Sequence, residues 1–425
     1  MTEAKKKRLL SPVLLAFMGT MILANISAQM VFPLESLYVQ ELGASVEQVG
    51  LFFTAAAIAP LIFQVLGGWL SDAVGRLQAI AIGSVAGAVS YLFYIFAPSW
   101  LWLLPSSVLA AMAVAFVSPS FQAFVAEQST KETRGRVYGI TSTMFMVVNI
   151  IGPVLGGAIA QGLSFRTMYI VAGSLYATAA GIRVLMARHA SRTRKVGDRP
   201  PEKPTFSGFK RSLVAVLGMV VAGGLVTWIF VSDGVRDISF NLIWRLMPLY
   251  LENEMGLSLL QIGSLQSISA IVAMILMTPA GLLSDKKGER VGIVGGFGLI
   301  SMGWVVFLTG ADFWQFIISR VFVGAGWALI DPAYNSLISK AVPEKIRGTA
   351  FGLFSTSLGI LSLPAPWIGA QLWEKVSPVF PFYVPLIAMV AMLPVMWIKF
   401  KLPPDAGDEP DSLASVAADA GSASS

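Results

Sequence analysis

The chain reads as an all-α integral membrane protein with twelve transmembrane helices in two pseudo-symmetric six-helix halves. Three observations predict this: an apolar composition, twelve long apolar runs, and an internal repeat at an offset of 213 positions. Of 425 residues, 55% are hydrophobic and 13% charged, against roughly 25% charged in soluble domains. A helix needs roughly 20 apolar residues to cross the hydrocarbon, and exposed irregular backbone is not tolerated there, so repeated apolar runs mean a helical bundle.

The spans fall near 11–40, 46–71, 77–97, 100–128, 134–161 and 166–188, then 224–252, 259–283, 291–310, 313–341, 347–374 and 379–401. Lys5, Lys6, Lys7, Arg8, Arg76, Lys131, Arg134, Arg136, Lys286, Lys287, Arg290, Lys345 and Arg347 then share one side with the linker "RHASRTRKVGDRPPEKP", while the other side holds Arg166 and Lys375. By the positive-inside rule both termini are cytoplasmic, as in a multi-pass protein of the plasma or inner membrane. The basic start "MTEAKKKRLL" lacks a cleavage site after it, so the first helix is expected to be retained. Residues 207–222 are expected to lie at the interface; as an extra span they would invert every later loop. This gives a half at 1–188, a basic linker at 189–223, a half at 224–402 and an acidic, disordered tail at 403–425.

The net charge of +6 resides in loops that set topology, so no nucleic-acid partner is expected. With no cysteine and a single histidine, His189 in the linker, disulfide, thiol and Cys/His metal chemistry are excluded. No Gly-x-x-x-x-Gly-Lys-Ser/Thr loop is present for an ATPase. An enzyme is not expected, and neither is a cofactor.

Shifted by 213 positions without a gap, the chain matches itself at punctuating residues. Gly43, Ser45, Gln48 and Gly50 meet Gly256, Ser258, Gln261 and Gly263, and Gly68, Leu70, Ser71, Asp72 and Gly75 meet Gly281, Leu283, Ser284, Asp285 and Gly288. Pro119 meets Pro332, "RGRVYG" meets "RGTAFG", and Pro153 and Gly156 meet Pro366 and Gly369. Parallel repeats of this size are what alternating-access transporters use.

"GGWLSDAVGR", Gly67 to Arg76, interrupts the apolar sequence as a short charged turn and recurs as "GLLSDKKGER". It resembles the signature loop of the major facilitator superfamily, and the resemblance extends from about Ser11 to Lys401. By that resemblance Gly68, Asp72, Gly75 and Arg76, with Glu127 at the end of helix four, form a cytoplasmic latch, and Asp285 and Arg290 serve the second half. The second copy departs from the pattern: Glu289 stands at the arginine's position and Lys340 at that of Glu127. "VVNIIGPVLGG" is similar to the motif of the drug:proton antiporter branch, matched at Gly139, Gly152, Pro153, Gly156 and Gly157, with Val148 at a glycine position. Gly152 and Gly156 also form a small-residue face suited to ordinary close packing.

Ionisable residues inside spans are costly and mark pathways by default. Those singled out are Glu35 in span one, Asp233, Arg236, Asp237 and Arg245 in span seven, and Arg320 and Asp331 in span ten. At 1.5 Å per residue, Asp233 and Asp331 share one tier, roughly 14 Å from the inner end, and Arg245 and Arg320 an outer one at about 32 Å. Asp233 and Asp237 share a helix face with Arg236 beside them. Three readings remain open: proton carriers, a structural ion-pair network, or substrate ligands. Glu35 joins the proton-coupling candidates. Arg236, Arg245 and Arg320 are charge partners or anion ligands, and Arg245 with Arg320 either grips an organic anion or binds Glu35. "RVFVGAGWA" from Arg320 resembles the superfamily's Arg-x-x-x-Gly pattern, with Ser107 at the first-half counterpart. Trp228, Phe240, Trp244, Trp327, Tyr334, Phe116, Phe121 and Met30 are candidates for an aromatic, lipophilic wall. The expected function is secondary transport of a small amphipathic molecule, as proton-coupled efflux by a monomer in the bilayer; the alternative is import or exchange of small organic anions.

Overall fold

The computed structural model describes residues 12–63, 75–130, 133–193, 224–342 and 359–400. Among them there is no β-strand. Residues 194–223 of the linker, with the segment 207–222, the tail from 403, and Gly68 and Asp72 lie outside the described residues, while 189–193 continue α7. In chain order the principal helices are α1 (Pro12–Val31), α2 (Glu35–Glu41), α3 (Val46–Ala56), α4 (Arg76–Phe96), α5 (Leu103–Gln128), α6 (Arg134–Gly162) and α7 (Phe165–Thr193). They continue with α8 (Leu225–Trp244), α9 (Leu259–Lys287), α10 (Glu289–Leu308), α11 (Phe313–Ala341), α12 (Ala365–Lys375) and α13 (Tyr383–Lys399). Ten helical segments among the described residues are long and apolar enough to cross a membrane. The chain is a multi-pass membrane protein. At the seventh place stands α8, which carries Asp233, Arg236 and Asp237, and at the eleventh stands α12.

The repeat recurs in the local geometry. Ser45 and Gln48 close a reciprocal capping box at the start of α3, and Ser258 with Gln261 does the same before α9. Each box satisfies helix-end donors that hydrocarbon could not. Among the described residues, those with positive φ are Gly43 and Gly75 and their repeat partners Gly256 and Gly288, at φ 91° and 100° against 64° and 90°. Glycine alone adopts this backbone at no steric cost. Between helices, Ser106 Oγ donates to the carbonyl of Ser90 at 3.0 Å, and Ser319 Oγ to that of Gly303 at 2.8 Å.

The first span of each half breaks at the same repeat position. In the first half, Pro33 sits in the 3-10 turn Phe32–Leu34 between α1 and α2. The second-half span expected at 224–252 stops as an α-helix at Trp244 and continues past a turn as Met247–Leu249 and a π turn over Tyr250–Glu254. Pro248 supplies the reason, since it cannot donate to the carbonyl of Trp244.

Contacts divide the chain into two compact units, Met1–Glu202 with Met247–Ser267, and Lys203–Leu246 with Ile268–Ser425. Residues 247–267 thus leave the half to which the sequence repeat assigns them. Backbone approach explains the transfer. A Cβ on Gly263 would collide with the carbonyl of Pro153, Ser267 Oγ donates to the carbonyl of Ile150 at 2.6 Å, and Gln161 Oε1 accepts from the amide of Leu260 at 3.0 Å.

Candidate functional site

Asp233, Arg236 and Asp237 of α8 gather on the side where α8 meets Trp327 and Tyr334 of α11. Arg236 is three residues from Asp233 and adjacent to Asp237, and its guanidinium reaches both. Nη2 lies 2.6 Å from Asp233 Oδ1, while Nε and Nη2 donate to Asp237 Oδ1 at 3.2 and 3.0 Å. Asp331 lies on α11, the helix that also carries Trp327 and Tyr334. Two ring faces complete the enclosure, with Arg236 Cζ 5.5 Å from the centroid of Tyr334 and 5.8 Å from that of Trp327. Phe240 backs Trp327 at 5.8 Å, and the hydroxyls of Tyr334 and Ser232 are 3.2 Å apart.

Burial is graded across this cluster. Asp233 is 8% exposed, the Asp237 side chain 36%, and Asp331 is exposed. Despite its contact with Arg236, Asp233 Oδ1 completes no hydrogen bond. Two carboxylates, those of Asp233 and Asp237, therefore share one guanidinium. Surplus negative charge away from water is costly, and a proton or a bound cation removes it.

The other candidates are placed as follows. Arg320 on α11 is 3% exposed with Cζ 5.7 Å from the ring of Phe307, and its carbonyl accepts from Ser269 Oγ. Arg245 is the C-cap of α8. Glu35 opens α2 in the first unit and accepts from the hydroxyl of Tyr94 at 2.6 Å; Tyr94 in turn stacks on Tyr169 at 4.6 Å. Of the aromatic candidates, Trp327 and Tyr334 join the Arg236 enclosure. Phe121 packs in the first unit against Phe17, and Trp228 lies beneath Lys399.

Pattern reading over the spans omits one buried charge. Arg183 on α7 is 1% exposed; it donates to Thr20 Oγ1 at 3.0 Å, to the Thr20 carbonyl at 3.1 Å and to Ser84 Oγ at 2.9 Å, and it lies over the ring of Phe17. It ties α1, α4 and α7 together through neutral acceptors. Its position inside span six was the available signal.

The glycines of "VVNIIGPVLGG" separate into two kinds. A Cβ on Gly156 would strike the carbonyl of Met30, and one on Gly157 would lie 2.6 Å from the carbonyl of Leu259; at Gly139 there is open space. In the charged turns, Arg76 Nε lies 3.4 Å from Glu127 Oε1. In the second half Lys340 Nζ pairs with Glu289 Oε1, which also accepts from Ser336 Oγ at 2.8 Å. The residues that depart from the signature thus make the repeat-related ion pair with reversed polarity. Asp285 is exposed, and Arg290 instead donates to the carbonyl of Trp397 at 3.1 Å and stacks on that ring at 4.3 Å.

Polarity matters because these residues sit at helix ends. Arg76 begins α4 and Glu127 lies at the end of α5, both opposed to the helix dipole, whereas Glu289 begins α10 and Lys340 ends α11, both favoured by it. The double exchange Arg76→Glu with Glu127→Lys is expected to raise the apparent Tm in detergent by about 2–4 °C, from roughly 1 kcal/mol of dipole energy. Glu289→Arg with Lys340→Glu should lower it by a similar amount. Shifts of equal sign in the two halves would contradict the dipole account.

Two copies of a membrane-helix repeat, with charges clustered inside a span, define a secondary transporter. The chain belongs to the Major Facilitator Superfamily, whose family profile matches residues 15–236 and again 229–421. It is a transporter and not an enzyme, and its cargo class is the small molecule. Its relatives include multidrug resistance protein 1 of Bacillus subtilis, at 25% identity over 94% of this chain and 98% of the relative. The multi-drug resistance efflux pump PmrA homolog of Lactococcus lactis is 25% identical over 83% of this chain and 85% of that protein. The quinolone resistance protein NorA of Staphylococcus aureus is 23% identical over 87% and 92%. Among solved structures, a POT family transporter in complex with 5-aminolevulinic acid superposes with a TM-score of 0.73 at 12% identity, covering 92% of this chain and 96% of that one. A D-xylose-proton symporter gives 0.68 at 16%, covering 93% and 98%. These structural likenesses concern the fold.

Proposed function

We propose that the protein exports a small amphipathic, cationic compound in exchange for protons, by alternating access of two six-helix halves that cross the cell membrane twelve times with both termini cytoplasmic. It acts as a monomer. The observation that carries this reading is the pair of carboxylates on the single guanidinium of Arg236, with Asp233 at its most buried point. A proton and a cationic substrate satisfy the same surplus charge in turn, which couples their movements. The efflux pumps among the relatives support the direction of transport. Asp237 and Asp331 are the more exposed steps by which protons reach Asp233, and Glu35, held by Tyr94, is a second protonation site. The signature-loop residues Asp72, Arg76 and Glu127 latch the cytoplasmic side. An organic-anion reading based on Arg245 and Arg320 would require the anion to approach surplus carboxylates in the same unit.

The test is ligand binding followed by thermal shift on purified protein, with tetraphenylphosphonium and benzoate at pH 6 and pH 8. Tetraphenylphosphonium is expected to stabilise more at pH 8, because protons then compete less for the carboxylates. At a hundredfold excess over Kd the gain is about 2.7 kcal/mol. Stabilisation by benzoate instead, lost in Arg320→Ala, would replace this reading with anion transport.

A further inference from the structure

The enclosure of Arg236 is made of groups that recognise a planar cation, and it is filled by a side chain of the same protein. Two carboxylates approach the guanidinium edge, and the rings of Tyr334 and Trp327 lie 5.5 and 5.8 Å from its carbon. The occupant uses the seat incompletely. Both of its hydrogen bonds to Asp237 go to Oδ1, and Asp233 Oδ1, buried beyond nine-tenths, is in contact without a hydrogen bond. Guanidinium and amidinium groups suit such a seat because they are flat, delocalised and able to donate two parallel hydrogen bonds, whereas a quaternary ammonium offers none.

Resting on the function proposed above, we propose that Arg236 is a built-in occupant of the substrate's cation seat, and that the seat takes aryl amidinium or aryl guanidinium compounds, which displace it. Entry is from the side of Asp237 and Asp331, the exposed members of the cluster. Asp331, on the same helix as the two ring walls, receives the displaced guanidinium. A tethered occupant lowers apparent affinity by the fraction of time it leaves the seat free. Removing it therefore tightens binding, the reverse of what loss of an ordinary contact residue does.

The experiment measures Kd for benzamidinium, phenylguanidinium and benzyltrimethylammonium at pH 8 with the full chain in lipid nanodiscs. In Arg236→Gln the two planar cations should bind about tenfold more tightly than to wild type, with less than about threefold change for benzyltrimethylammonium. Arg236→Lys, which keeps the charge without the plane, should fall between. Unchanged or weaker binding of benzamidinium in Arg236→Gln overturns the seat. If wild type meanwhile still binds tetraphenylphosphonium with the expected pH dependence, the proton-coupled reading survives; loss of that dependence in wild type strikes the underlying reading instead. Should Arg236→Gln fail to fold, Trp327→Leu, which removes one ring wall and leaves the ion pairs, must weaken benzamidinium more than benzyltrimethylammonium at unchanged Tm. Equal weakening of both overturns the proposal.

Discussion

Asp233→Asn is expected to abolish transport driven by a pH gradient while leaving substrate counterflow without a gradient in place. The change is isosteric and removes only the charge and the titration. Asp233 is the most buried carboxylate of the cluster and the one nearest the guanidinium, at 2.6 Å. Removing one partner of a buried charge pair costs on the order of 3 kcal/mol, or about a hundredfold in a rate or affinity that depends on it. Arg236 keeps its two hydrogen bonds to Asp237, so the protein should still fold. Asp237→Asn and Asp331→Asn should have smaller effects, because those carboxylates are less buried than Asp233. Proteoliposomes loaded with tetraphenylphosphonium separate the outcomes. Lost gradient-driven flux with retained counterflow marks Asp233 as the coupling acid, and loss of both marks it as a substrate ligand. An unchanged gradient-driven rate would remove it from the mechanism.

The second large effect is structural. Gly156→Ala should lower the apparent Tm by about 3–10 °C, since an inserted methyl in a packed interface costs about 1–3 kcal/mol. The obstacle is the backbone carbonyl of Met30, which cannot rotate aside as a side chain does. Gly139→Ala is the internal control: the position belongs to the same motif, but a Cβ there meets open space. Thermal melts of the two variants decide between packing and mere membership of the motif. If Gly139→Ala destabilises as much as Gly156→Ala, the close approach of α6 to α1 does not explain the glycines.

Much of this architecture was legible residue by residue. Hydropathy located the helices, because each span must satisfy its own backbone inside lipid. Ser45, Gln48, Gly43 and Gly75 and their partners 213 positions on were legible as a repeat, and the structure shows them as helix caps and positive-φ turns. The cost of burying charge was enough to pick out Asp233, Arg236, Asp237 and Asp331. Apart from the repeat, these signals act over one helical turn or one helix length, which is the range that sequence neighbours control.

Contacts between distant segments were decided by tertiary structure. Glu289 and Lys340 looked like departures from a signature; brought together across 51 positions, they form the ion pair of Arg76 and Glu127 with its polarity reversed. Arg183 became a brace only when Thr20 and Ser84, 163 and 99 positions away, were folded onto it. Residues 247–267 repeat the first half in sequence yet pack with it in space, because glycine faces on α6 and α9 allow backbones to touch. The sequence by itself determined which segments are apolar enough for the membrane and how the chain repeats, since those are matters of local solvation and backbone freedom. Which charge meets which partner was left to the packing of helix faces, where a few ångströms separate a solvated residue from a buried pair.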